Sequence, residues 1–255
     1  MIAGGAAAQG PDTFEVASIK LGDTLANGTS MGFANGAGFK MENGTLRQII
    51  QYAYDLRDFQ LTGVSGWMIS ERYNILAKGV LDEGPSTYLA MNDQQREAAS
   101  ALIRKRLQKL LADRFQLVIH RETRELPIYA LVVAKGGVKM QPNTTPSTNG
   151  TTMTRGRAMY RGTRASLAQI TESLAAITGR PVHDETGLTG FYDAKLDWTP
   201  DMVAGAPDAP DKPVETAAGP TLLTAVQEQL GLKLEAKKGP VEIVAVDHAE
   251  RPTEN

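Results

Sequence analysis

The chain has no cysteine among its 255 residues. Disulfides, thiolate nucleophiles and cysteine metal sites are thereby excluded together. It also lacks any apolar run long enough to cross a bilayer. Basic and acidic residues nearly balance, 27 against 29, and no block of either sign stands out. That removes the electrostatic footprint of a nucleic-acid binder and the polybasic stretch of a membrane-surface protein. No Gly-rich phosphate loop follows a strand and no H-E-x-x-H helix occurs, so nothing points to a nucleotide cofactor or a zincin. What is present is ordinary for a globular protein, with 42% apolar and 22% charged residues. The length suffices for one large domain or two modest ones.

The first ten residues, MIAGGAAAQG, are small, like the tail of a signal peptide. The charged start and apolar middle of such a peptide are not there. Residues 1–13 are therefore read as a flexible N-terminus, with export to the periplasm or medium as the expectation it raises.

The informative signal is an internal repeat. Thr45 and Gln48 form a capping-box pattern ahead of Leu46, Ile49, Ile50 and Ala53 at helical spacing. Ser166 and Gln169 repeat it ahead of Leu167, Ile170, Leu174 and Ile177, with Gly179 where the helix should end. Each helix is followed by a short extended stretch, Phe59–Leu61 or Pro181–His183, and a Gly-punctuated turn. A tyrosine-bearing strand comes next, from Tyr73 or Tyr192. Second helices are expected at 94–111 and 221–230. Two hairpins should close the halves, 116–121 with 127–133 and 232–236 with 241–246 across Lys237-Lys238-Gly239. The class expected is α+β, two related halves around a pseudo-twofold, each strand-helix-strand-strand-helix-strand-strand with mainly antiparallel sheets. The halves are placed at 14–140 and 158–255. Thr, Pro, Asn and Gly make 141–157 a linker, and prolines make 199–219 an exposed insertion.

FEVASIK from Phe14, LADRFQLVIHRETRELPIYALVVAKGG from Leu111, GRPVHDETGLTGFYDAKLDWTP from Gly179 and QEQLGLKLEAKKGPVEIVAVDH from Gln227 carry a recognisable stamp. They resemble a large conserved family of soil bacteria, expanded in Acidobacteria such as Solibacter. Members look exported, and some are fused to membrane peptidases of the antibiotic-sensor type. The resemblance implies hydrolysis of N-acyl-homoserine lactones, hence quorum quenching, with a divalent cation such as calcium. The half-domain pattern is also similar to the short N-terminal modules of secretins and TonB-dependent receptors. These bind partners, so an envelope interaction module is the alternative. His183 departs from the aliphatic residue that many members carry after Pro181-Val182.

Three histidines, His120, His183 and His248, lie far apart in sequence. The H-x-H-x-D-H run of metallo-β-lactamase-type lactonases therefore cannot be built. Gly63-Val64-Ser65-Gly66-Trp67 starts like a nucleophile elbow but ends in Trp. Histidine–carboxylate neighbours remain. His120 shares a strand face with Glu122, and His248 follows Asp247. Each is a candidate general base for water, weighed against a surface histidine at a strand end. Oxygen ligands for a hard cation are sought at Asp193 and Asp197, four apart on one strand with Asp201 beyond, and at Asp184 and Glu185. The bland reading there is a solvated acidic face. Trp67, Tyr73, Tyr192 and Trp198 fall at matching places in the two halves, either as core or as a lid over an acyl chain.

Overall fold

Two helices start by the same reciprocal hydrogen bonds. The Thr45 hydroxyl accepts from the Gln48 amide at 3.3 Å, and Gln48 Oε1 accepts from the Thr45 amide at 2.9 Å. Ser166 and Gln169 reproduce both distances. Each box satisfies amides that a helix start leaves open, and such a cap is worth about 1 kcal/mol. The computed structural model describes residues 12–23, 28–34, 38–79, 93–145, 150–154, 158–199 and 219–252. These fold into two compact units, residues 1–123 with 242–255 and residues 124–241.

In the first unit the order is β1 (Val16–Leu21), β2 (Ser30–Ala34), β3 (Gly38–Gly44), α1 (Leu46–Tyr54), β4 (Leu61–Thr62), α2 (Trp67–Ser70), β5 (Tyr73–Lys78) and α3 (Asp93–Phe115). A 3-10 turn at Asp58–Gln60 replaces most of the extended stretch expected at Phe59–Leu61. An antiparallel sheet forms in the order β1-β5-β3-β2. Residues Phe39, Met41, Tyr73, Ile75 and Ala77 on its inner face are buried against Ile49 and Ile50 of α1 and Ile103 and Leu107 of α3. Each such large apolar side chain contributes about 1.5–3 kcal/mol by leaving water.

β6 (Val118–Val133) starts in the first unit and from Arg124 belongs to the second. The second unit continues with β7 (Gln141–Pro142), β8 (Gly150–Thr154), β9 (Met159–Ser166), α4 (Leu167–Thr178), β10 (Val182–Asp184), β11 (Phe191–Asp197) and α5 (Leu222–Ala225). A π-helical turn at Val226–Leu230 leads into β12 (Leu232–His248), which from Glu242 belongs to the first unit. The second antiparallel sheet runs β7-β11-β9-β8, with Tyr160, Leu167, Leu174, Leu196 and Leu232 in its core. The fold is α+β with mainly antiparallel sheets.

Two expectations are corrected here. The hairpins do not form, because β6 is one strand of 16 residues and β12 one of 17. Lys237-Lys238-Gly239 reads like a turn, yet Gly239 is not among the residues with positive φ. Its missing side chain serves a close approach instead, since a Cβ there would lie 2.5 Å from Ile128 Cδ1 on β6. β6 and β12 are hydrogen-bonded neighbours. Each also takes a short parallel partner, β4 on β12 at Val244 and Ala245, β10 on β6 at Tyr129–Leu131. The expected linker is also partly strand. β7 and β8 lie at the edges of the second sheet, where Pro142 removes no needed amide. Most of the expected insertion, 200–218, lies outside the described residues.

Several turns are built on left-handed residues. Asn43 and Arg164 stand two residues before the two capping boxes, and Asp55 and Gly179 end α1 and α4. Gly63, Gly66, Gly187 and Gly190 also have positive φ, as do Gln116, two residues before β6, and Gly231, immediately before β12.

Candidate active site

The strand pairing creates a histidine–carboxylate contact between residues far apart in sequence. His120 stands near the start of β6 and Asp247 near the end of β12, both in the first unit. His120 Nδ1 lies 2.8 and 2.9 Å from the two Asp247 oxygens. Both side chains are about half exposed, at 51% and 43%. With Asp247 ionised, Nδ1 carries the proton and donates to it, leaving the Nε2 lone pair turned away as a base.

Both candidate histidines thus appear with partners other than those expected. Glu122 does share the His120 strand, but the carboxylate on His120 comes from β12. Asp247 and His248 are adjacent on a strand, so their side chains point to opposite faces. His248 Nε2 meets Glu250 Oε1 at 3.1 Å instead. That pair is the weaker of the two, with one longer contact to an exposed residue two positions away. His183 on β10 pairs in register with Ala130 and has its ring beside Gly239.

The four proposed cation ligands are otherwise engaged. Asp193 Oδ1 accepts from the Arg164 amide and from Asn143 Nδ2, both at 2.8 Å. Asn74 on β5 does the same for the Asn43 amide, also at 2.8 Å. Each acceptor clamps the left-handed residue ahead of a capping box, beside a slip in strand register. Asp193 is therefore a bulge clamp matched by an uncharged amide. Asp197 receives both Arg161 bonds, 2.8 and 3.1 Å, with Lys195 Nζ at 3.7 Å. Asp184 Oδ1 closes a turn on the Thr186 amide and hydroxyl at 2.9 and 2.7 Å, and Glu185 pairs with Lys237. Among the described residues no three His, Asp or Glu side chains come together to hold a metal. These carboxylates do not fit a calcium cage, which needs six or more converging oxygens. Asp201 lies outside the described residues.

The clamp has a measurable signature. The Arg164 amide, and after it Asn143, holds the Asp193 carboxyl below the ordinary carboxylate range. A lowered folded pKa adds stability above the unfolded value, and that stability is lost as pH falls through the folded one. Asp193→Ala should thus lower the melting temperature at pH 7, with the gap to wild type closing in acid. Asp193→Asn, which keeps the acceptor, should lose less. Equal losses in the two variants would count against the clamp.

The aromatic candidates divide. Tyr73 is buried at 1% exposure, edge-on to Phe115 with ring centroids 5.5 Å apart, and donates to Glu71 at 2.8 Å. Trp67 lies under the Arg251 guanidinium at 5.3 Å. Tyr192 donates to the Thr189 carbonyl at 3.0 Å, and Trp198 packs at the edge of the second core. Sequence reading missed Arg251 and Glu71 altogether. The only signal was a pair of opposite charges 180 residues apart.

A family model matches residues 47–249, most of the chain, including His120, Asp247 and the two acceptors Asn74 and Asp193. The chain belongs to the family described as "Protein of unknown function (DUF3738)". No curated protein and no solved structure matches it. Among the described residues of this family member, no helix is long and apolar enough to cross a membrane.

Proposed function

We propose that the chain is a hydrolase that opens the lactone ring of N-acyl-homoserine lactones, with His120 as general base. The observation that supports it is the His120–Asp247 contact at 2.8 Å. Asp247 fixes the tautomer, and Nε2 takes a proton from water as the oxygen bonds to the lactone carbonyl carbon. Collapse of the tetrahedral intermediate breaks the ring C–O bond, and Nε2–H returns its proton to the departing alkoxide. The product is the ring-opened hydroxy acid. Because the pair is half exposed, its field is screened by water, and the acceleration to expect is that of a positioned base, about 10²–10⁴-fold.

Asp247→Asn tests the pairing. It keeps the shape but lets the amide bond the wrong tautomer, so turnover should fall by about tenfold or more. Chelation is the companion arm. The resemblance implies a divalent cation, whereas the step written here uses the base alone, so turnover unchanged by EDTA would agree with the base-only step. Loss of activity on chelation and recovery with calcium would replace this mechanism by a cation-dependent one. Absence of turnover by the pure wild type would favour the envelope-binding alternative. Export, to the periplasm or the medium, is part of the same proposal and rests on the family resemblance.

The matched caps, clamps and left-handed residues support a further reading, that the chain arose by duplication of one half. The ancestral half then ended in the long strand that is now β6 or β12. A superposition of residues 38–78 on 159–197 that failed to bring Asn74 onto Asp193 would count against it.

A further inference from the structure

The first unit holds a cleft of about 390 Å³ at the open end of its first sheet. Ile19, Leu21, the Tyr73 ring and Pro252 give it apolar walls. Leu21 is 57% exposed, a large apolar side chain left uncovered beside the buried Ile19. The volume is within the usual range for small-molecule sites. Part of the polar edge is occupied by one hydrogen-bonded group. Glu71 accepts from Arg251 Nη2 at 2.7 Å and Nε at 2.9 Å, and from the Tyr73 hydroxyl at 2.8 Å. Burial, and then donation to Glu71, push the Tyr73 phenol up, so it stays a neutral donor. The Glu71–Arg251 ion pair thereby neutralises itself, while Lys20 and Arg72 also line the cleft, beside its apolar wall.

The cleft is also close to the candidate base. Arg251 follows Asp247 by four residues, so their Cα atoms are at most about 14 Å apart even in a fully extended chain. We propose that this cleft receives the acyl chain of the substrate, tail against Leu21, Ile19 and Pro252. This rests on the hydrolase reading for the identity of the ligand, but the cleft's preference for a neutral straight chain can be measured without any turnover.

The test uses calorimetric titration of the full-length protein with butanamide, hexanamide and octanamide, which carry an acyl chain and no lactone. Each added methylene should tighten binding by about fourfold, so octanamide should bind roughly 200-fold better than butanamide. Leu21→Asp, at an exposed position, should fold normally and weaken octanamide at least tenfold. Pro252→Asp should do the same and serves if the first variant does not fold. Octanamide should also inhibit lactone turnover competitively. Affinity independent of chain length, or octanamide binding undisturbed in folded Leu21→Asp and Pro252→Asp, would overturn the cleft assignment. Chain-length-dependent binding together with no lactone turnover would uphold the cleft and sink the hydrolase reading alone.

Discussion

Replacing His120 with Ala should lower kcat/KM on an N-acyl-homoserine lactone by about 10²-fold or more, with the melting temperature within a few degrees of wild type. The two expectations have separate causes. The side chain is half exposed and its partner stays solvated, so little folding energy depends on it. Chemistry depends on it, because Nε2 is the base assigned to the attacking water. His248→Ala is the control. Its ring meets Glu250 and stands on the opposite strand face, so turnover should stay within about twofold of wild type. An equal loss in both variants would mean that the end of β12 is being disturbed rather than a base removed.

The largest stability effect is expected at Gly231. It has φ 68°, a conformation that costs other residues about 1–2 kcal/mol. A Cβ there would press on the Gly137 carbonyl and lie 2.7 Å from the Lys139 amide. That amide donates to the Leu230 carbonyl at 2.9 Å, so relief by backbone movement breaks a hydrogen bond. Together Gly231→Ala should cost about 3 kcal/mol, lowering the melting temperature by roughly 10 °C. Gln116 stands two residues before β6 with φ 48° and already bears the strain. Gln116→Gly should therefore be neutral or up to about 1 kcal/mol stabilising. Opposite signs at these two positions would be hard to explain unless the two helix ends share a backbone path.

Local features were legible in the sequence for physical reasons. A capping box is a contact over three residues, so Thr45 with Gln48 and Ser166 with Gln169 could be named from spacing alone. The strand from Tyr73 and the strand from Tyr192 follow from alternation, since alternate side chains are buried. The long strands were not legible. A Gly after two lysines suits a turn as well as a close approach, and only the position of Ile128 decides between them. The partner of His120 was invisible for a related reason, since it lies 127 residues away on a strand expected to fold back locally. Asp193 was read as a cation ligand because an acidic residue near others suggests one. Its hydrogen bond to the Arg164 amide could have been anticipated by aligning Tyr73-Asn74 with Tyr192-Asp193, where an amide and a carboxylate can each serve as acceptor.

The reaction is tested most directly by its product. Purified wild-type protein would be incubated with N-octanoyl-homoserine lactone in ¹⁸O-water, and the product examined by mass spectrometry alongside His120→Ala. The account predicts ring-opened N-octanoyl-homoserine with a single ¹⁸O in its carboxylate, formed by wild type and at most at a hundredth of that rate by the variant. Free octanoate with intact homoserine lactone, or equal rates from the two proteins, would contradict it.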